Sequence, residues 1–168
     1  IRGVAGEYPL DERTVYAFGV ALGRDASQPG AHPEILIGAD TRESSGWIAE
    51  TVAGGLASCG VRVRYAGVIT TPGVAWLTKS GPFFAGVMIS ASHNPFRDNG
   101  IKVFGHSGFK LPDSEEDLVE REIFSILADD PKPVRVTLTV EENLQQGYLT
   151  YLASMVATRT IAWSLSTD

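Results

Sequence analysis

Thirteen consecutive residues, Ser90-Ala91-Ser92-His93-Asn94-Pro95-Phe96-Arg97-Asp98-Asn99-Gly100-Ile101-Lys102, bring together two hydroxyls, an imidazole, a carboxylate and two cations. A serine hydroxyl is a weak nucleophile at its own pKa and needs a base or a positive charge beside it. His93 and Lys102 are side chains of the types that supply these. Phosphoryl transfer asks chiefly for positioning and for charge to neutralise the transferring oxygens, from Lys, Arg, helix N-termini or a metal ion. Asn94-Pro95 and Asn99-Gly100 are turn-forming pairs expected to shape the segment around the serine. The same residue types also make ordinary surface loops. Composition therefore leaves a second reading open, with His93 hydrogen-bonding the loop and Lys102 a solvated strand residue.

Hydrophobic spacing identifies the elements that must position this segment. Phe83-Phe84-Ala85-Gly86-Val87-Met88-Ile89 is a continuous apolar run that predicts a central strand, and residues 90–100 form the loop after it. Ile101-Lys102-Val103-Phe104 reads as the strand leaving the loop. Glu34 to Gly38 is a second buried strand, and Val61 to Tyr65 alternates like a strand with one wet face. Val15, Phe18 and Leu22 predict a helix over 11–25, and Ile48, Val52 and Leu56 one capped by Ser44 or Ser45. Thr71-Pro72 opens a short helix through Leu77. Asp113 to Leu127 is helical with Val119, Ile123, Ile126 and Leu127 inward, and Pro131 and Pro133 end that region. A last helix is expected from about Glu142 to Met155, with Leu144, Tyr148 and Tyr151 or Leu152 inward.

Strands alternating with helices imply a layered α/β domain with a mixed, largely parallel sheet flanked by helices. No helix fits between the 84–89 and 101–104 strands, so that pair is expected to be antiparallel. Ligands in such folds gather at the carboxyl ends of strands, where the 90–100 loop lies.

The chain has 168 residues, a 43% hydrophobic share and a formal charge of -6. The acidic balance argues against a general nucleic-acid or membrane-surface binder, but not against a small anionic substrate. The single cysteine, Cys59, allows no intrachain disulfide and reads as a buried helix end. No segment reads as a membrane span or a signal peptide, so a cytoplasmic location is expected. The chain starts Ile1-Arg2-Gly3 and stops at Asp168 without an obvious closing element, which reads as a fragment. His32, His106 and the pair Asp129-Asp130 read as surface residues.

Ser92-His93-Asn94-Pro95, continued by Asp98-Asn99-Gly100-Ile101-Lys102, resembles the active-site serine motif of the α-D-phosphohexomutase superfamily. Ile1-Arg2-Gly3, Gly38-Ala39-Asp40-Thr41-Arg42, Thr71-Pro72 and Gly108-Phe109-Lys110-Leu111 resemble further motifs of the same family, in order. The last of these, with the Ser90-Ala91-Ser92 form, is most similar to the phosphoglucosamine mutase branch. The phosphomannomutase and phosphoglucomutase branches stay open as alternatives.

The resemblance implies a phosphoserine at Ser92 that exchanges its phosphoryl with hexose or hexosamine 1- and 6-phosphates through a bisphosphate, which also serves as activator. It implies catalytic roles for Ser92, His93, Lys102 and Arg2. Arg2 and Lys102 would activate the acceptor hydroxyl or stabilise the transferring group. Asn94 and Arg42 are implied as substrate-binding candidates, although Asn94 also suits loop shaping and Arg42 a contact with Asp40. Mg²⁺ is implied on the serine phosphate, with three aspartates supplied by a second domain. Ala39 departs from the arginine often found at that position, and no stretch matches the aspartate loop. Residues 1–140 are expected to be the phosphoserine-loop domain and 141–168 a helical linker toward the remaining domains of the same enzyme. A hydrolase using Ser92 with water, and a non-catalytic phosphosugar-binding domain, are the competing classes.

Magnesium needs several oxygen ligands. The purified 168-residue chain is therefore expected to bind Mg²⁺ weakly and to lack mutase turnover. Strong Mg²⁺-dependent interconversion of a hexose 1- and 6-phosphate by the chain alone would contradict this.

Overall fold

The computed structural model describes residues 1–165, with side chains through residue 157. The elements in chain order are β1 (Arg2–Val4), α1 (Glu12–Ala26), β2 (Glu34–Ala39), α2 (Ser45–Ser58), β3 (Arg62–Val68), α3 (Thr71–Ser80), β4 (Phe83–Ile89), β5 (Asp98–Gly105), α4 (Asp113–Ala128) and α5 (Glu142–Leu165). The five strands form one sheet in the order β1-β5-β4-β2-β3. β4 pairs parallel with β2, and β2 parallel with β3. β5 runs antiparallel to both β4 and β1. The result is the expected mixed α/β sheet, with β4 in its middle.

From Ala85 onward β4 is buried on both faces, whereas Phe84 near its start is exposed. Ala85, Val87 and Ile89 enter a core shared with α1, α2 and α4. Met88, pointing the other way, joins Phe83 in a second core against α3 and α5. Helices α1 and α2 approach closely through glycines. A Cβ on Gly55 would stand 2.5 Å from the Tyr16 carbonyl oxygen and 2.7 Å from the Val20 nitrogen.

Several boundaries differ from the sequence reading. Arg2–Val4 is a strand, paired on β5 at Gly100, Asn99 and Asp98. β5 therefore starts at Asp98, and Asn99-Gly100 is strand rather than turn. Gly100 serves there by bareness: a Cβ would meet the carbonyl oxygens of Ser90 and Ile1 at 2.9 and 3.1 Å. Ser44 occupies the N-cap position of α2 but makes no side-chain cap. The cap of α3 is Thr70, whose hydroxyl accepts from the Gly73 amide.

α5 docks through its first turns. Leu144 and Tyr148 are buried, and Tyr151 stacks on Trp76 with ring centroids 5.0 Å apart, whereas Leu152 faces outward. The final residues of the expected 141–168 segment, 166–168, lie outside the described residues. No helix among the described residues is long and apolar enough to cross a membrane.

The glycine contact yields a test with opposite signs at two positions. Gly55→Ala gains at most about 1 kcal/mol of helix propensity but forces two backbones apart, at a cost of about 1–3 kcal/mol, so it should destabilise. Gly46→Ala, in the same helix with open space around it, should stabilise by about 0.4–1 kcal/mol. Urea midpoints of the two variants check both signs.

Candidate active site

β4 delivers its chain to Ser90, whose amide donates to the Gly100 carbonyl at 2.9 Å and closes the last rung between the strands. The chain then leaves the sheet and returns at Asp98. Ser92 stands exposed in this excursion with φ +59°, a left-handed conformation unusual for serine. Such a residue costs on the order of 1–3 kcal/mol and persists only where its surroundings dictate it.

Those surroundings come from the end of β2. The Asp40 amide donates to the Ile89 carbonyl at 3.0 Å, fixing the two strand ends side by side. The Asp40 carboxylate accepts from the Ser45 hydroxyl at 2.6 Å, the Arg42 amide at 3.1 Å and Arg42 Nε at 3.0 Å. Ser90 Oγ accepts from the Ser92 amide at 3.1 Å. Burial works against the Asp40 charge, but the hydrogen bonds it accepts, led by those from Ser45 and the Arg42 amide, outweigh it. Its carboxyl is held below the ordinary value.

Arg42 then reaches under the loop. Nη1 donates to the carbonyls of Pro95 (2.6 Å) and Asp98 (3.0 Å), and Nη2 to those of Ser92 (2.9 Å) and Asn94 (3.0 Å). Asn99 is fully buried beside it, donating to the hydroxyls of Ser44 (2.9 Å) and Ser45 (3.0 Å) while its Oδ1 accepts from the Gly100 amide (2.8 Å). The Asn94 side chain donates to Asp98 at 3.2 Å, within the loop itself. His93 is exposed next to Ser92.

Strand register gathers the cations. Arg2 pairs with Gly100, and Gly100 and Lys102 are two apart on β5, so Arg2 and Lys102 share one face of the sheet. Both line an open cleft of about 400 Å³ together with Ser90 and Lys110. Lys110 is partly neutralised by Glu116, 2.9 Å away. Ser92 lies on the rim loop above Ser90 rather than in the lining. His32 and His106 lie on the surface, away from this loop.

The parts that sequence reasoning missed are Ser90, Ser45 and Asn99. The motif containing Asp40 and Arg42 was visible, but its partners lie some fifty positions on in the chain. For a metal, Ser92 offers a single oxygen. Among the described residues no group of three or more His, Cys, Asp or Glu is placed to hold an ion. These residues alone do not make a Mg²⁺ site.

The fold and the loop together define an α/β domain that presents one serine beyond the carboxyl end of its middle strand, beside a cleft carrying arginine and lysine. Comparison with known proteins gives this class its family. The family model described as phosphoglucomutase/phosphomannomutase, alpha/beta/alpha domain I, matches residues 1–130, and the chain belongs to that family. It is 69% identical over 159 residues to a phosphoglucosamine mutase of Solibacter usitatus, covering 95% of this chain and 36% of that one. It is 49% identical over 161 residues to a phosphoglucosamine mutase of Koribacter versatilis, covering 93% and 35%. A phosphoglucomutase/phosphomannomutase family protein from Burkholderia thailandensis shares the fold, with a TM-score of 0.63 and 24% identity over 82% of this chain and 30% of that one. The chain thus spans about a third of the length of the curated relatives it matches.

Because the Asp40 pKa is lowered on folding, its contribution to stability is complete above the unfolded carboxylate pKa of about 3.9 and is lost as pH falls through the lower folded value. The urea-midpoint gap between the wild-type chain and Asp40→Asn should be constant near neutrality and close in acid. A gap that widens below pH 4 would contradict this sign.

Proposed function

We propose that this chain is the phosphoserine-carrying domain of a phosphohexomutase and that its substrate is a hexosamine phosphate, interconverted between its 1- and 6-phosphates. The observation that carries the proposal is the exposed, left-handed Ser92 at the end of the middle strand, next to a cleft where Arg2 and Lys102 share a face. Residues 1–140 are the catalytic domain in this reading. The helix that follows leads toward the remainder of the enzyme. The identities to two phosphoglucosamine mutases favour the hexosamine over phosphomannose or phosphoglucose.

In the proposed reaction the phosphoserine P–O bond breaks as a new P–O bond forms to the sugar hydroxyl. The hydroxyl proton passes to a base and Ser92 recovers its own proton. The same exchange at the other end of the sugar returns a phosphoryl group to Ser92. Lys102 and Arg2 neutralise the transferring oxygens from one side. His93, beside the serine on the loop, holds or moves the proton in this reading. Bound Mg²⁺ would supply further charge neutralisation at the serine phosphate, with its other ligands outside this chain. Asn94, which faces Asp98, shapes the loop in this reading.

Intact-mass measurement of the full-length gene product should find one phosphoryl group, absent in Ser92→Ala. The wild type should interconvert glucosamine 1- and 6-phosphates, and the variant should fall to background. Mutase activity surviving in Ser92→Ala would sink the proposal. Retention of sugar-phosphate binding without any turnover in the wild type would point instead to a binding domain.

A further inference from the structure

We propose that Asp40 and Arg42 together are the positioning device of the phosphoryl-carrying serine, setting its backbone conformation without touching the sugar phosphate. The inference rests on the reading of Ser92 as that carrier.

A guanidinium has five N–H donors in one plane. In Arg42 the Nε donor is on Asp40, two donors are on the Pro95 and Asp98 carbonyls, and two are on the Ser92 and Asn94 carbonyls. None is left for a substrate oxygen. The Arg42 side chain is only 12% exposed, so it lies beneath the loop rather than in the cleft. The substrate-binding role implied by the family resemblance therefore gives way to a role in the loop.

The Ser92 residue is held from both directions. Its amide donates to Ser90 Oγ, and its carbonyl accepts from Arg42 Nη2. Asp40 anchors the second of these grips, accepting from Arg42 Nε at 3.0 Å and from the Arg42 amide at 3.1 Å. The two grips together fix φ and ψ at Ser92. This is the over-determination that a left-handed serine requires. A lysine could not substitute. An ammonium is a point charge with three donors and cannot span four carbonyls arranged around a planar fork.

The test uses the full-length protein with Arg42→Lys, Arg42→Ala and Asp40→Asn, each checked for a wild-type-like circular dichroism spectrum. Misplacing a reacting group by about 1 Å can cost about 100-fold in rate. Arg42→Lys should lower kcat by about that factor while leaving KM for the sugar phosphate in place. Added guanidinium ion should restore part of the kcat lost in Arg42→Ala. Asp40→Asn should show the same kcat-against-KM split. The Asn94 and Asp98 amides should lose hydrogen-exchange protection in all three variants.

A KM increase with kcat preserved would overturn the proposal by making Arg42 a substrate contact. Wild-type kcat and wild-type exchange in Arg42→Lys would overturn it equally. If the wild-type enzyme shows no mutase activity, the functional reading fails separately. The exchange of the loop amides then decides whether the clamp exists.

Discussion

A chain that leaves the middle of a sheet and returns antiparallel beside itself carries carbonyls that no ladder can pair. Four of these, at Ser92, Asn94, Pro95 and Asp98, converge on the guanidinium of Arg42. A guanidinium presents five donors in one planar fork, so a single side chain can gather several carbonyls that the ladder leaves over. Arg42 is that side chain, and Asp40 supplies the counter-charge that lets it sit under the loop. The turn is therefore built from β2 as much as from its own residues. Shape at Ser92 follows from this convergence rather than from local propensity.

The other half of the site obeys a different constraint. Arg2 and Lys102 meet because β1 is registered on β5 with Arg2 opposite Gly100. A slip of one residue would send one of them to the opposite face. The pairing is reinforced where the Ala5 amide donates to the Arg97 carbonyl at 3.1 Å, tying the first strand to the end of the serine loop. The parallel side of the sheet thus shapes the loop, and the antiparallel side brings the cations. β4 is where the two halves join.

Around this sheet the packing is arranged for rigidity. Gly19 and Gly55 let α1 and α2 come into backbone contact. The segment after α4 crosses back over α2, where the Val136 amide donates to the Glu50 carbonyl and Arg135 pairs with Glu12 over the Trp47 ring. Arg64 bridges Glu34 and Glu141, joining β2, β3 and the start of α5. The exposed edge of β3 is closed by Val140 and by Gln145, whose side-chain amide donates to the Ala66 and Val68 carbonyls. A scaffold held at so many points suits a site that needs a fixed serine.

Much of the fold was written in apolar spacing. The run at 85–89 has no polar position because both its faces are covered. The four-residue spacing of Ile48, Val52 and Leu56 marks one buried helix stripe. The serine motif and its order among the other motifs were likewise legible, since they are strings of residue types. Three-residue β1 was not, because so short a strand has no period and exists only through its partner. Asn99-Gly100 carries the composition of a turn, yet pairing with β1 draws it into a strand, where glycine is needed for space rather than for a positive φ. The sequence by itself determined which side chains could do chemistry. The tertiary structure decided which of them line the cleft and which face the protein. That choice depends on hydrogen bonds between residues fifty or more positions apart, such as Arg42 to Ser92 and Asn99 to Ser45, and no local pattern encodes them.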